Sequence, residues 1–215
     1  MADVQTTMLL GIGAAKAGTT WLAEYLREHD EVFVPRIKEL HFFDQKLRPE
    51  FSGGNDLMFR RRLCQAWQQL RHGLADANNA EFEEFSELID RVCMRPSNYV
   101  QFFTSRMEAE HVFADITPAY ATLAEDHFRI VERIHPRIQY FFLMRDPIYR
   151  AWSQINMTAA EKNKPRLRDP ELFPKLAQAP FVTYRGDYVR TLRALTRVVP
   201  RERVWIGFYE DLFAE

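Results

Sequence analysis

The sequence predicts an α/β fold, three layers with a central, mostly parallel sheet and flanking helices. Three observations carry that prediction. The chain opens with a short apolar run, Thr7 to Gly13, that ends in glycine, crosses a small-residue loop and enters an amphipathic helix. Strand, tight loop and helix in that order begin a parallel βαβ arrangement. Apolar runs of strand length recur between helical stretches, the strongest being Ile138 to Met144. Finally, 215 residues with 47% hydrophobic and 27% charged content suit one globular domain with a sizeable core.

Taken in order, residues 7–13 read as a buried strand, and Thr19 to Arg27 as a helix with Leu22, Tyr25 and Leu26 on one face. Glu31 to Val34, just before Pro35, reads as a short second strand. From about 55 to 106 the composition is helical and free of proline until Pro96. One amphipathic pattern there includes Leu57, Leu63 and Trp67, a second includes Phe82, Phe85 and Leu88, and Asn78-Asn79 marks the turn between them. This stretch interrupts the alternation, so it is expected to be a helical insertion over one end of the sheet, within a single domain spanning 1–215. Val112 to Ala114 is a short strand, 124–134 a helix ending before Pro136, and a further helix starts at Pro147. Residues 162–180, rich in Pro, Lys and Arg, are expected to be an exposed loop, followed by a helix over 184–198 and a last strand from Arg203 to Phe208.

Net charge is −1, so no nucleic-acid partner held by bulk electrostatics is expected, and an anionic ligand must be caught by a local cluster of donors. Cys64 and Cys93 lie in no metal or disulfide spacing and are expected as reduced thiols. The apolar start from Met8 to Ala15 is too short to span a bilayer and stops at Lys16. Upstream of it stand Asp3 and no Lys or Arg, which fits a signal peptide badly. A cytoplasmic location with no membrane span is therefore expected.

The first motif with chemistry is Gly13-Ala14-Ala15-Lys16-Ala17-Gly18-Thr19-Thr20-Trp21, between strand and helix. Gly and Ala let the backbone approach a ligand, and successive N–H groups at a helix start favour an anion. Lys16 adds a mobile charge, and the Thr19 and Thr20 hydroxyls add donors. The NTPase form GxxxxGK[ST] is excluded because Lys16 precedes Gly18, and the dinucleotide fingerprint is excluded for want of a third glycine. The string Lys16-x-Gly18-Thr19-Thr20 resembles the 5′-phosphosulfate loop of the sulfotransferase superfamily, Lys-[Ser/Thr/Ala/Gly]-Gly-Thr-[Thr/Arg]. The resemblance implies a P-loop-like fold and a donor, 3′-phosphoadenosine 5′-phosphosulfate (PAPS), held by Lys16, Ala17, Gly18, Thr19 and Thr20. It also places Trp21 against the adenine.

The second motif is Leu143-Met144-Arg145-Asp146-Pro147-Ile148-Tyr149-Arg150-Ala151-Trp152-Ser153. A guanidinium at a strand end and a serine two turns into the following helix can converge on one phosphate. It resembles the family's 3′-phosphate motif Leu-Arg-Asp-Pro-x-x-Arg-Ala-x-Ser, with Met144 in the aliphatic position, which implies that Arg145 and Ser153 hold the 3′-phosphate.

Lys38-Glu39-Leu40-His41-Phe42-Phe43-Asp44 follows the second strand. It resembles the Glu-[Val/Ile]-His-Phe-Phe-Asp segment of the heparan sulfate 3-O-sulfotransferases, whose N-sulfotransferase relatives carry Glu-Ile-Gln-Phe-Phe there. By that resemblance Glu39 is the general base, with His41 and Asp44 as supporting polar groups near the substrate. The chemistry agrees, since an acceptor hydroxyl needs its proton removed as it attacks sulfur, and Lys16 can neutralise charge on the departing oxygen. Ligands are too few for a metal, and none is expected. Asp115-Ile116-Thr117-Pro118-Ala119-Tyr120 resembles a Glu-Lys-[Thr/Ser]-Pro-x-Tyr segment that lines the acceptor site, which implies Thr117 and Tyr120 as substrate contacts. Ile116 replaces the lysine of the glycosaminoglycan enzymes, which argues against a polyanionic sugar.

The expectation is a sulfotransferase that moves a sulfuryl group from PAPS to an acceptor hydroxyl or amine on a small molecule or glycan, releasing PAP (3′-phosphoadenosine 5′-phosphate). Arg185-Gly186-Asp187-Tyr188 and Phe208-Tyr209-Glu210-Asp211-Leu212 match family positions near the cofactor and core. Family members continue past the latter into a basic, glycine-containing segment, and the chain is expected to lack it, since the sequence stops at Glu215. A magnesium-dependent nucleotide phosphotransferase and a non-catalytic PAP-binding remnant are the alternatives.

Overall fold

The computed structural model describes residues 6–51, 79–161 and 172–213. Five parallel strands form one sheet in the order β2-β3-β1-β4-β5, flanked by helices. They are β1 (Thr7–Gly13), β2 (Val32–Phe33), β3 (Val112–Ile116), β4 (Ile138–Met144) and β5 (Val204–Phe208). β1 lies at the centre, paired with β3 from Thr7↔Val112 to Gly11↔Ile116 and with β4 from Met8↔Ile138 to Gly11↔Phe141. Its apolar residues Met8, Leu10 and Ile12 are fully buried, as a strand covered on both faces requires. Gly11 is a packing requirement here: a Cβ at that position would stand 2.4 Å from the Phe141 ring.

Ten helices accompany the sheet among the described residues, and four decide the site. α1 (Thr19–Arg27) follows β1 directly, and α2 (Phe42–Leu47) follows the loop after β2. Next come α3 (Asn79–Cys93), α4 (Tyr99–Thr104), α5 (Glu125–Val131) and α6 (Pro147–Glu161). The chain then forms α7 (Leu172–Ala177), α8 (Pro180–Gly186), α9 (Tyr188–Thr196) and α10 (Tyr209–Leu212). α2 is fixed by its two leading aromatics. Phe42 and Phe43 pack on Tyr99, with ring centroids 4.5 and 4.9 Å away, and Tyr99 in turn packs on Phe103.

Two sequence expectations need correction. The loop expected over 162–180 lies outside the described residues as far as 171, but 172–177 and 180–186 are helical. The helix expected over 184–198 is two helices that break at Asp187, whose Oδ1 accepts from Arg190 N and caps α9. Pro180 stands in the first turn of α8, where its missing N–H costs no hydrogen bond. Composition alone misreads such a stretch, because a proline at N1 and a proline in a loop look identical in sequence. Elsewhere boundaries shorten: the second strand keeps only Val32–Phe33, and the helix of 124–134 ends at Val131. Of the stretch proposed as a helical insertion, residues 52–78, with Asn78 of the Asn78-Asn79 turn, lie outside the described residues, and 79–93 and 99–104 are helical. Cys64 also lies outside the described residues.

Candidate functional site

In a parallel sheet all carboxyl ends face one way, and ligands bind outside those ends where the strand order reverses. Here the chain runs β1, β2, β3 on one side of β1 and then crosses to β4 and β5 on the other. The reversal therefore falls between β1 and β4, and the loops after those two strands meet. Ala14 N donates to Leu143 O at 2.6 Å, and Arg145 Nη1 donates to Lys16 O at 3.1 Å. Two motifs far apart in sequence thus form one wall.

The loop after β1 leads into an uncapped helix start. Gly18 precedes α1 with φ of 84°, and a Cβ there would meet the Phe213 ring at 2.8 Å, so glycine is required on both counts. No side chain caps α1 and no acidic residue stands in its first turn, which leaves the first-turn N–H groups to a ligand. Ala17 and Thr19 are buried, Thr20 is exposed, and Lys16 is half-buried with Nζ 3.6 Å from Met157 Sδ. Trp21 is exposed; it stacks on Tyr25 at 5.4 Å and meets Phe213 edge-on at 5.1 Å.

On the β4 side, Asp146 Oδ1 accepts from Ile148 N and Tyr149 N and so caps α6. Arg145 is left free of helix duties: its guanidinium lies 4.0 Å over the Tyr209 ring, and Tyr188 OH donates to its carbonyl at 2.8 Å. Ser153, half-buried, sits two turns into α6.

The loop after β2 carries the acid–base candidates. Three contacts outside the loop hold it. Ile37 N donates to Glu87 Oε2 at 3.1 Å, Arg91 Nε donates to Leu40 O at 2.8 Å, and Phe42 N donates to Tyr120 OH at 3.1 Å. Within it Lys38 Nζ donates to Glu39 Oε1 at 2.8 Å, and His41 lies between two carboxylates, with Nδ1 2.9 Å from Asp44 Oδ2 and Nε2 3.4 Å from Glu39 Oε2. Burial pushes the Glu39 carboxyl up, but the hydrogen bonds and charges of His41 and Lys38 outweigh it and hold the group at about 2. Burial pushes His41 down, and the hydrogen bonds and charges of Asp44 and Glu39 overcome it, raising the imidazole to about 9. The side chain of Glu39 is 40% exposed, so a substrate can reach it, whereas His41 and Asp44 are buried beneath.

Below that loop lies Asp115, at the end of β3 and fully buried. It accepts from Tyr99 OH, Tyr120 OH and Thr117 Oγ1, each at 2.7 Å. Burial raises its pKa despite these three donors. Thr117 and Tyr120 are themselves fully buried, and Tyr120 OH passes the network on to Phe42 N. The structure places both behind the Glu39–His41 loop. Lys16, Glu39 and His41 are the three non-glycine residues with positive φ among the described residues, at 71°, 62° and 54°. Such backbone persists where surrounding structure enforces it, and it clusters at functional sites.

Sequence reasoning gave no role to Lys38, Glu87, Arg91 or Asp115. Lys38 could have been found from its place beside Glu39; the others act through contacts that only the fold makes. Among the described residues no group of three or more His, Cys, Asp or Glu could hold a metal, and no helix is long and apolar enough to cross a membrane.

Residues 9–215 match the model of the Sulfotransferase family. No curated protein matches the chain. Among solved structures the chain resembles a sulfotransferase from Alicyclobacillus acidocaldarius, with a TM-score of 0.63 and 20% identity over 95% of this chain and 73% of that one. It resembles the sulfotransferase domain from the curacin biosynthetic pathway at a TM-score of 0.57 and 17% identity, covering 96% of this chain and 68% of that one. The sulfotransferase domain of the Synechococcus PCC 7002 olefin synthase gives 0.52 and 17%, over 96% and 66%.

Proposed function

The chain belongs to the sulfotransferase family, and from that premise we propose that it transfers the sulfuryl group of PAPS to a hydroxyl or amine of a small-molecule or glycan acceptor. The observation that carries the reading is the coincidence of left-handed, non-glycine backbone with Lys16, Glu39 and His41 at the carboxyl edge of the sheet. Within the family, the Glu39 string supports a place beside the heparan sulfate 3-O- and N-sulfotransferases.

The residues present fit a 5′-phosphosulfate: an uncapped helix start, a glycine that nothing larger can replace, and a lysine beside it. Thr19, Thr20 and the first-turn amides of α1 hold that group, with Ala17 and Gly18 allowing close approach. Arg145 and Ser153 hold the 3′-phosphate, and Trp21 offers its ring to the purine. Bound PAPS supplies an activated sulfuryl group and leaves as PAP once its sulfur is bonded to the acceptor. Lys16 neutralises charge at the leaving oxygen. Glu39 takes the acceptor proton at Oε2, the oxygen with the longer contact. A carboxylate held at about 2 is ionised at any working pH, and the acceptor proton becomes acidic as the acceptor atom bonds to sulfur and the sulfur–oxygen bond to the phosphate breaks, so a weak but fixed base suffices. His41 and Asp44 keep that carboxylate in place, and Thr117 and Tyr120 act from behind the loop.

Calorimetric titration with PAP in the absence of magnesium tests the donor. Binding is expected, weakened about tenfold or more in Lys16→Ala and in Arg145→Ala by loss of a charge-assisted contact. Glu39→Gln is expected to retain PAP binding and lose about 100-fold or more of transfer. Binding of ATP in place of PAP would sink the donor assignment, and PAP binding without turnover on any acceptor would make the chain a remnant.

A further inference from the structure

A second concentration of positive charge lies outside the residues just assigned. Arg150, on α6, is 1% exposed. Its Nη2 donates to Val182 O at 2.6 Å, but its Nε and Nη1 are buried with no hydrogen-bond partner. Arg185, in the last turn of α8, has a buried Nε that is also unpartnered. Among the described residues neither guanidinium lies within ion-pair distance of a carboxylate. One turn along α6 from Arg150, Gln154 is 3% exposed and its Oε1 has no donor.

The fold brings these groups to one place. Val182 and Gly186 stand four residues apart on the face of α8 that meets Arg150. A Cβ at Gly186 would lie 3.1 Å from Arg150 Nη2 and 3.2 Å from Nε, so the guanidinium packs closely against the glycine. Arg185 is three residues after Val182 and adjacent to Gly186, hence beside the same face. Burial lowers the Arg185 guanidinium, and the charges of Asp44 and Glu39 oppose it. These two carboxylates of the loop after β2 are thus the nearby acids on the Arg185 side of the pair. Arg145 is occupied differently, on Lys16 O and the Tyr209 ring.

Buried guanidinium donors without hydrogen-bond partners are costly, and in native proteins such groups are met by a ligand or ordered water. We propose that Arg150 and Arg185 form an oxyanion pocket that takes a carboxylate or phosphate group of the acceptor and thereby sets its reacting hydroxyl or amine beside Glu39. Guanidinium forks suit both anions, because two parallel N–H donors match two oxygens. Gln154 Oε1 accepts a hydroxyl or amide hydrogen next to the anion. The assignment of the anion to the acceptor rests on Glu39 as the base; the pocket itself does not.

The test follows the arginine Nε–H resonances by NMR in the full chain saturated with PAP, with Arg150→Lys and Arg185→Gln used for assignment. Benzoate, phenyl phosphate and neutral benzamide are then titrated. The Arg150 and Arg185 signals are expected to move saturably with at least one anion and not with benzamide. Arg185→Gln, less buried and so the safer variant for folding, is expected to weaken that anion about tenfold or more with PAP affinity unchanged. A response to benzoate alone or to phenyl phosphate alone identifies the anion as carboxylate or phosphate. Should PAP by itself move both signals and block the anions, the pocket belongs to the donor and the proposal falls. It falls equally if neither anion moves them, which would leave a hydrated structural pair. Anion binding in a chain that does not bind PAP would keep the pocket and overturn the donor reading instead.

Discussion

His41 is the residue on which the electrostatics of the site turn. It lies between Asp44 and Glu39, and their hydrogen bonds and charge raise it from 6.5 to about 9 against the opposing effect of burial. A raised pKa means that the folded chain binds more protons than the unfolded one between these values. Its contribution to stability is thus complete below pH 6.5 and is lost as pH rises through about 9. Glu39 works in the opposite sense: its carboxyl is lowered from 4.5 to about 2, so its contribution is present above 4.5 and lost as pH falls through about 2. With its side chain 40% exposed, solvent screening makes the Glu39 share the smaller. The melting temperature of the wild-type chain is therefore expected to fall from pH 6.5 to 9 more steeply than that of His41→Gln. Parallel curves for the two proteins would remove the charged imidazole from the account.

At the scale of elements, the base loop is held by neighbours more than by its own sequence. Glu87 and Arg91 reach it from α3, and Tyr120 reaches it from the turn after β3. Tyr120 OH has two jobs at once, accepting from Phe42 N and donating to Asp115 Oδ2. Tyr120→Phe removes both, leaving the buried Phe42 amide without its partner and Asp115 Oδ2 with the Tyr99 hydroxyl alone. A loss of about 1–3 kcal/mol is expected by urea unfolding, together with reduced transfer at unchanged PAP affinity. If transfer were untouched, the network would be structural only. The Glu39-x-His41 string was legible as a candidate only through its resemblance to the heparan sulfate sulfotransferase segment. The supports were not legible, since Glu87 and Arg91 read in sequence as ordinary charges on a helix. The same limit hid α7 and α8, where proline and basic residues suggested a loop and tertiary packing made helices.

For the whole molecule, the central strand is the point of greatest leverage. β1 pairs on both edges, buries Met8, Leu10 and Ile12, and delivers the loop that carries Lys16 at its carboxyl end. Leu10→Ala is expected to cost about 2–5 kcal/mol through lost burial and a cavity, read as a lower urea midpoint at unchanged slope. A cost below about 1 kcal/mol would mean that the core around β1 can collapse into the space.

The sequence by itself determined the α/β class, because apolar runs of strand length alternating with helical stretches leave few other packings. It also marked the Gly13 to Trp21 loop and the Arg145 motif as candidates, because their residue types and order are local properties of the chain. Only the tertiary structure decided which groups meet: that Arg145 lies against Lys16, that Asp115 holds Tyr120 behind Glu39, and that Arg150 and Arg185 stand buried with unused donors. Such pairings join residues whose separation in sequence carries no periodic signal, and burial with its electrostatic consequences exists only once the sheet has brought them together.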